Sequence, residues 1–182
     1  MLGGTFDPVH NAHLAMARAA LEQLALDRVL WVPTGAPGYR KPPVASAADR
    51  LAMLRLALRD EKGFSIDERE LSPQASGYTV DTLRALRREL GEAAELYLLL
   101  GGDQYAAFAS WREPGEVARL ARLAVFPRPG FALGERNVKT LDLPPMQVSG
   151  SDIRARAARG ERLDALVPPA VANYIERHGL YR

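Results

Sequence analysis

The chain has 182 residues, the length of one ordinary domain, and its 47% hydrophobic and 25% charged residues exclude a disordered or fibrous protein. Its 24 Lys+Arg nearly balance its 22 Asp+Glu, and a net charge of +2 argues against a general nucleic-acid coat protein. With no cysteine there is no disulfide scaffold, thiolate metal site or thiol nucleophile, as fits a cytoplasmic protein.

Gly3-Gly4 is expected to turn the chain after a first strand. Only Met1 and Leu2 precede it, against a usual strand of about five residues, so further residues are expected before Met1 in the natural chain. A helix is predicted from His13 to Leu26, with Leu14, Ala17, Leu21 and Leu24 on its apolar face. Residues 28–33 read as a buried strand. The Pro- and Gly-rich piece 33–43 is a loop and carries Lys41, one of three lysines. Ser46 is placed to cap a helix over 47–58. A weaker strand at 64–67 precedes a helix over 79–90. Leu96 to Leu100 is the strongest strand, stopped by Gly101-Gly102, and 123–126 is the next, ended by Pro127. Two helices, 150–160 and 168–178, close the chain.

Strands alternating with helices imply βαβ units and a doubly wound parallel sheet. Residues 1–182 then form a single domain, with 149–182 a helical C-terminal appendage packed on the sheet. No apolar run approaches the roughly 18 residues of a spanning helix, so no membrane partner is expected. Ligands of such sheets bind beyond the carboxyl ends of the strands.

Chemistry-bearing residues cluster at those ends. In Gly3-Gly4-Thr5-Phe6-Asp7-Pro8-Val9-His10-Asn11-Ala12-His13, the glycines admit a ligand close to the backbone and Asp7-Pro8 forces a turn. His10 and His13 fall at a helix start, where unpaired N–H groups already favour an anion, and phosphate is the natural tenant. The alternative is a capped turn with two surface histidines. Ser149, Ser151 and Arg154 sit within six residues at another helix start and could clamp phosphates, or Ser149 and Ser151 could simply cap the helix. Lys41 could add a cation or be an exposed loop charge. Asp103 could accept ribose hydroxyls or cap the next helix. Trp111 could stack on a heterocycle or be a rim aromatic. No G-x-G-x-x-G and no P-loop occurs. No set of carboxylates at ligand spacing marks a protein-held metal.

Taken together, these blocks resemble the nucleotidyltransferase superfamily with a T/H-x-G-H motif, and within it the bacterial nicotinate-nucleotide adenylyltransferases. Gly3-Gly4-Thr5-Phe6-Asp7-Pro8-Val9-His10 is similar to that family's G-G-T-F-D-P-V-H opening, and Arg50-Leu51-Ala52-Met53-Leu54 to its R-L-x-M-L helix. Asp67 to Leu71 and Tyr78 to Leu83 resemble the next blocks, Gly101-Gly102-Asp103 its G-x-D, and Pro127-Arg128-Pro129-Gly130 its R-P-G turn. Ser149 to Arg154 resembles I-S-x-T-x-I-R, and Gly179-Leu180-Tyr181-Arg182 the family's ending. Ala12 stands where the family has Gly, Ser151 where it has Thr, and Arg40-Lys41 where it has His-Lys.

The resemblance implies a Rossmann-like nucleotidyltransferase fold and transfer of the adenylyl group of ATP to nicotinate mononucleotide. By matched position, His10, His13, Lys41 and Arg154 are the catalytic cations. Gly3, Gly4, Thr5, Phe6, Asp103, Ser149 and Ser151 bind ATP. Thr79, Trp111 and Arg128 bind the mononucleotide. Mg²⁺ arrives with ATP and is held by phosphate and water. Other expectations remain open: a sister transferase acting on nicotinamide mononucleotide or phosphopantetheine, or a nucleotide-binding module without turnover. A nucleic-acid partner is not expected.

Overall fold

The computed structural model describes residues 1–35, 41–127 and 138–182. Its order is β1 (Leu2–Gly4), α1 (Asn11–Gln23), β2 (Val29–Pro33), α2 (Ala47–Leu58), β3 (Phe64–Ile66), α3 (Thr79–Leu90), β4 (Tyr97–Gly101), α4 (Gly102–Ala106), α5 (Pro114–Leu120), β5 (Arg122–Phe126), β6 (Lys139–Thr140), α6 (Gly150–Ala158) and α7 (Pro169–Arg177). Short 3₁₀ turns occupy Arg69–Leu71 and Phe108–Ser110.

Every strand pairing is parallel. Two three-stranded groups form, β1-β2-β3 and β4-β5-β6. Met1 joins them: its carbonyl accepts from Leu99 N at 3.0 Å and its amino group donates to the Tyr97 carbonyl at 2.7 Å. The strands therefore run β3-β2-β1-β4-β5-β6 across the molecule, a doubly wound order that reverses between β1 and β4.

Strand side chains alternate between two cores, as a period of two requires. Leu2, Val29, Trp31 and Leu99 bury on one face against α1, α2, α6 and α7. Val32, Leu98, Leu100 and Val125 bury on the other against α3, α4 and α5. Both faces of the sheet are covered, which is why its strands read as near-continuous apolar runs.

The structure amends the expected elements in four places. Gly3 and Gly4 are not the turn: they are the last residues of β1, in register with Val32 and Pro33, and the turn begins at Thr5. Helix α1 starts at Asn11 rather than His13, because His10 already has the extended backbone of an N-cap. The appendage packs largely on helix rather than sheet, with α7 against α2 and Val171 and Ile175 in the same core as Leu14 and Leu54. Elements α4, α5 and β6, five, seven and two residues long, are too short to show a period.

Candidate active site

The carboxyl ends of β1 and β4 open at the point where strand order reverses. Between them the segment Thr5–His10 leads into α1. Phe6 adopts φ 48°, a left-handed conformation that costs an aromatic residue about 1 kcal/mol or more. Its ring is buried against Trp31 and His13, at centroid distances of 5.3 and 5.1 Å. A side chain on Gly4 would stand 3.0 Å from that ring, so the ring would have to shift to admit one. Phe6 thus meets the site through its backbone and through the histidine it supports.

His10 and His13 are not two surface residues. His10 is 6% exposed and caps α1, and the two imidazoles stack with centroids 3.6 Å apart. His13 Nδ1 accepts the His10 backbone N–H at 3.3 Å. That bond assigns the proton of a neutral His13 ring to Nε2, making Nε2 the donor nitrogen.

Arg154 reaches this segment from α6. Its Nη1 donates to the Asp7 carbonyl at 2.6 Å and lies 3.9 Å from the Asp7 carboxylate. Gly150 allows the approach, since a side chain there would meet the Asp7 carbonyl at 3.1 Å and Arg154 Nη1 at 3.2 Å. Ser149 caps α6 by accepting from Asp152 N at 3.2 Å, and its hydroxyl lies 3.0 Å from that of Ser151. The capping reading of Ser149 therefore holds, and both hydroxyls stay exposed at the helix start that carries Arg154. Lys41 is exposed, three residues before Val44, whose N–H donates to Asp7 at 2.7 Å. Ala12 is buried in α1.

Asp103 follows β4 and is exposed. It does not cap α4: Gly101 holds the N-cap position, its N–H bonded to Gln104 at 3.2 Å. Beyond it a second group assembles. Thr79 opens α3 after Tyr78, and the Arg112 guanidinium lies 4.6 Å over the Tyr78 ring. Trp111, half-buried, tilts against Phe108 at 5.5 Å. The Arg112–Tyr78 contact thereby brings the Thr79 and Trp111 segments together. Arg128, with its Pro-Gly turn, and Arg40 lie outside the described residues.

Three residues carry more of this architecture than their sequence context suggests. Arg50 is 1% exposed, and its Nη1 donates to the carbonyls of Thr5 at 2.6 Å and Thr34 at 2.8 Å. It holds the loops after β1 and β2 side by side. Burial pushes its guanidinium below its ordinary pKa, with the charge of Asp7 opposing. The signal lay in its spacing: Arg50, Leu54 and Ala57 share one face of α2 and all are buried. Asp7, expected only to turn the chain, is buried and accepts from Val44 N, Ala45 N and the Tyr181 hydroxyl. Tyr181 keeps its proton for that bond, because burial first, then the bond and the charge of Asp7, push its pKa well above 10. The sequence carried no pattern linking positions so far apart.

A parallel doubly wound sheet whose order reverses between β1 and β4, with stacked imidazoles at the start of α1 and a guanidinium bound to the loop before it, is the arrangement of a nucleotidyltransferase domain. The chain belongs to the cytidylyltransferase-like family, whose model matches residues 1–156. A relative named probable nicotinate-nucleotide adenylyltransferase, from Chromobacterium violaceum, is 45% identical across all of this chain and 97% of its own length. A second of the same name, from Laribacter hongkongensis, is 44% identical across all of this chain and 93% of its own length. Among solved structures, the nicotinic acid mononucleotide adenylyltransferase of Plasmodium falciparum complexed with NaAD shares the fold. Its TM-score is 0.84 at 19% identity, over 99% of this chain and 95% of that one. Among the described residues, no helix is long and apolar enough to cross a membrane.

Proposed function

We propose that this chain transfers the adenylyl group of ATP to nicotinate mononucleotide, releasing pyrophosphate and forming nicotinate adenine dinucleotide. The observation that carries this reading is the contact of Arg154 with the Asp7 carbonyl. It draws the α6 start onto the loop that leads to His10 and His13, at the switch point of the sheet. The names of relatives 44% and 45% identical over the whole chain support the same reaction.

A mononucleotide phosphate oxygen attacks the α-phosphorus in line. The new P–O bond forms as the bond to the β-phosphate oxygen breaks, and pyrophosphate leaves with its electrons. The attacking phosphate is already ionised, so no general base and no covalent enzyme intermediate are needed. Catalysis is positioning together with charge stabilisation. His10 and His13 hold ATP phosphates, with His13 Nε2 donating to the α-phosphate as charge builds there. Arg154 and Lys41 neutralise the departing pyrophosphate, assisted by the Ser149 and Ser151 hydroxyls at the α6 start. Backbone at Gly3, Gly4, Thr5 and Phe6 lies along the nucleotide, and Asp103 takes the ribose hydroxyls. Trp111 stacks on the nicotinate ring, the N-terminus of α3 at Thr79 binds its carboxylate, and Arg128 lies on the mononucleotide side. Mg²⁺ enters as part of the substrate, on the ATP phosphates and water. The whole chain works as one domain with 149–182 its appendage, in the cytoplasm where its substrates are held.

The decisive assay is pyrophosphate release from ATP with nicotinate mononucleotide, nicotinamide mononucleotide or phosphopantetheine offered separately. Nicotinate mononucleotide should be the preferred acceptor. Turnover of phosphopantetheine without it would overturn the reading. His13→Ala should lower kcat at least about a hundredfold while ATP still binds, the scale of losing one charge-stabilising donor. Near wild-type turnover in that variant would remove His13 from the mechanism.

A further inference from the structure

Asp7 is a junction of three chain segments. Its carboxylate accepts from Val44 N at 2.7 Å, Ala45 N at 3.1 Å and the Tyr181 hydroxyl at 2.8 Å. Its own carbonyl accepts from Arg154 Nη1 at 2.6 Å. One buried residue therefore touches the chain leaving Lys41, the helix carrying Arg154, and a C-terminal tyrosine far from both in sequence. Val44 is three residues from Lys41, so fixing Val44 confines the lysine to a radius of about 10 Å. One Arg154 N–H is engaged by Asp7, and the fork retains further donors for a phosphate. Gly150, at the α6 start, leaves room for this contact, since a Cβ there would stand 3.1 Å from the same carbonyl.

We infer that Tyr181 is a positioning residue for the ATP site. It acts through Asp7 to set Arg154 and the Lys41 segment where the ATP phosphates bind. Tyr181 itself touches no substrate. Arg50 and Arg154 stand close enough to influence the phenol electrostatically, so the four groups form one cluster around Asp7. The inference rests on the assignment of Arg154 and Lys41 to ATP phosphates, and it deepens that assignment.

Tyr181→Phe keeps the ring and removes only the donor. The expected result is a MgATP dissociation constant raised about fivefold, the scale of one lost hydrogen bond, with the KM for nicotinate mononucleotide within twofold of wild type. The discriminating measurement is a double-mutant cycle on MgATP affinity with Arg154→Ala. If Tyr181 acts through Arg154 and the Lys41 segment, the loss caused by Tyr181→Phe shrinks in the Arg154→Ala background and vanishes when Lys41→Ala is added. Additive losses, equal losses for both substrates, or unchanged MgATP affinity in folded Tyr181→Phe would each overturn the inference. Should that variant fail to fold, Gly150→Ala carries the test. The added methyl crowds both partners of the Asp7–Arg154 contact, at 3.1 and 3.2 Å, and should weaken MgATP binding selectively, and unchanged affinity there would equally overturn the coupling. Because MgATP binding is read without the second substrate, a protein that bound ATP but refused nicotinate mononucleotide would sink the assigned reaction and leave this coupling standing.

Discussion

Arg50 shows how a single side chain sets the cleft before any ligand arrives. A guanidinium that is 1% exposed is costly to bury, and although its Nε finds no partner among the described residues, its Nη1 donates to the carbonyls of both Thr5 and Thr34. Those carbonyls belong to the loops after β1 and β2, so the bonds fix the floor from which Phe6 and the histidines project. Arg50→Met fills similar volume without the donors. It should lower unfolding free energy by about 3 kcal/mol, read from the denaturant midpoint at unchanged slope. A loss under about 1 kcal/mol would mean that the two carbonyls find other partners. At this scale the candidate site was only partly legible. His10 and His13 could be read because both lie in one short motif at a helix start. Asp7 and Tyr181 could not be paired, because they are 174 positions apart and the fold alone brings them together.

The legibility of elements follows their length and their exposure to two environments. Helix α3, expected over 79–90, is observed as Thr79–Leu90 because Val80, Leu83 and Leu86 bury while Arg84, Arg87 and Arg88 do not. The apolar face expected for α1 holds at Leu14 and Ala17, which are buried, but Leu21 and Leu24 are only half-buried, and Ala12 and Ala20 join the core instead. Alanine buries completely with little apolar surface, and a hydropathy pattern weights it too lightly to show this. Helix α7 illustrates the same logic in an appendage. Its Val171 and Ile175 enter the main core, and the Tyr174 hydroxyl donates to Asp49 of α2 at 3.0 Å. The appendage is therefore expected to unfold with the sheet. Ile175→Ala should cost about 3 kcal/mol and lower a single thermal transition by roughly 6–12 °C. Two separated transitions would show that α7 melts on its own.

Across the whole molecule, a net charge of +2 hides a strong local asymmetry. Among the described residues many arginines are matched by a neighbouring carboxylate, as Arg55 with Glu68, Arg69 with Asp67 and Glu89, Arg84 with Glu113, Arg119 with Glu116, and Arg159 with Glu161. These pairs are largely exposed, so solvent and salt screen them and each adds little to stability. The cations assigned to ATP are arranged otherwise. Arg154 directs one donor to a main-chain carbonyl, with a carboxylate 3.9 Å away, and Lys41 is exposed at the end of its loop. Arg154 is only loosely paired, with the distant Asp7 carboxylate, and Lys41 has no carboxylate partner among the described residues, so salt distinguishes the two populations. Between about 50 and 500 mM NaCl the Debye length falls from roughly 14 to roughly 4 Å, so attraction between MgATP and the cleft is screened. Affinity for MgATP should fall several-fold over that range. The thermal midpoint should move by no more than a few degrees, because many small surface terms change together and none is large. Binding that ignores salt would place the ATP contacts on backbone and apolar groups instead of on this cation set. A collapse of stability with salt would mean that the surface pairs carry far more of the fold than their exposure allows.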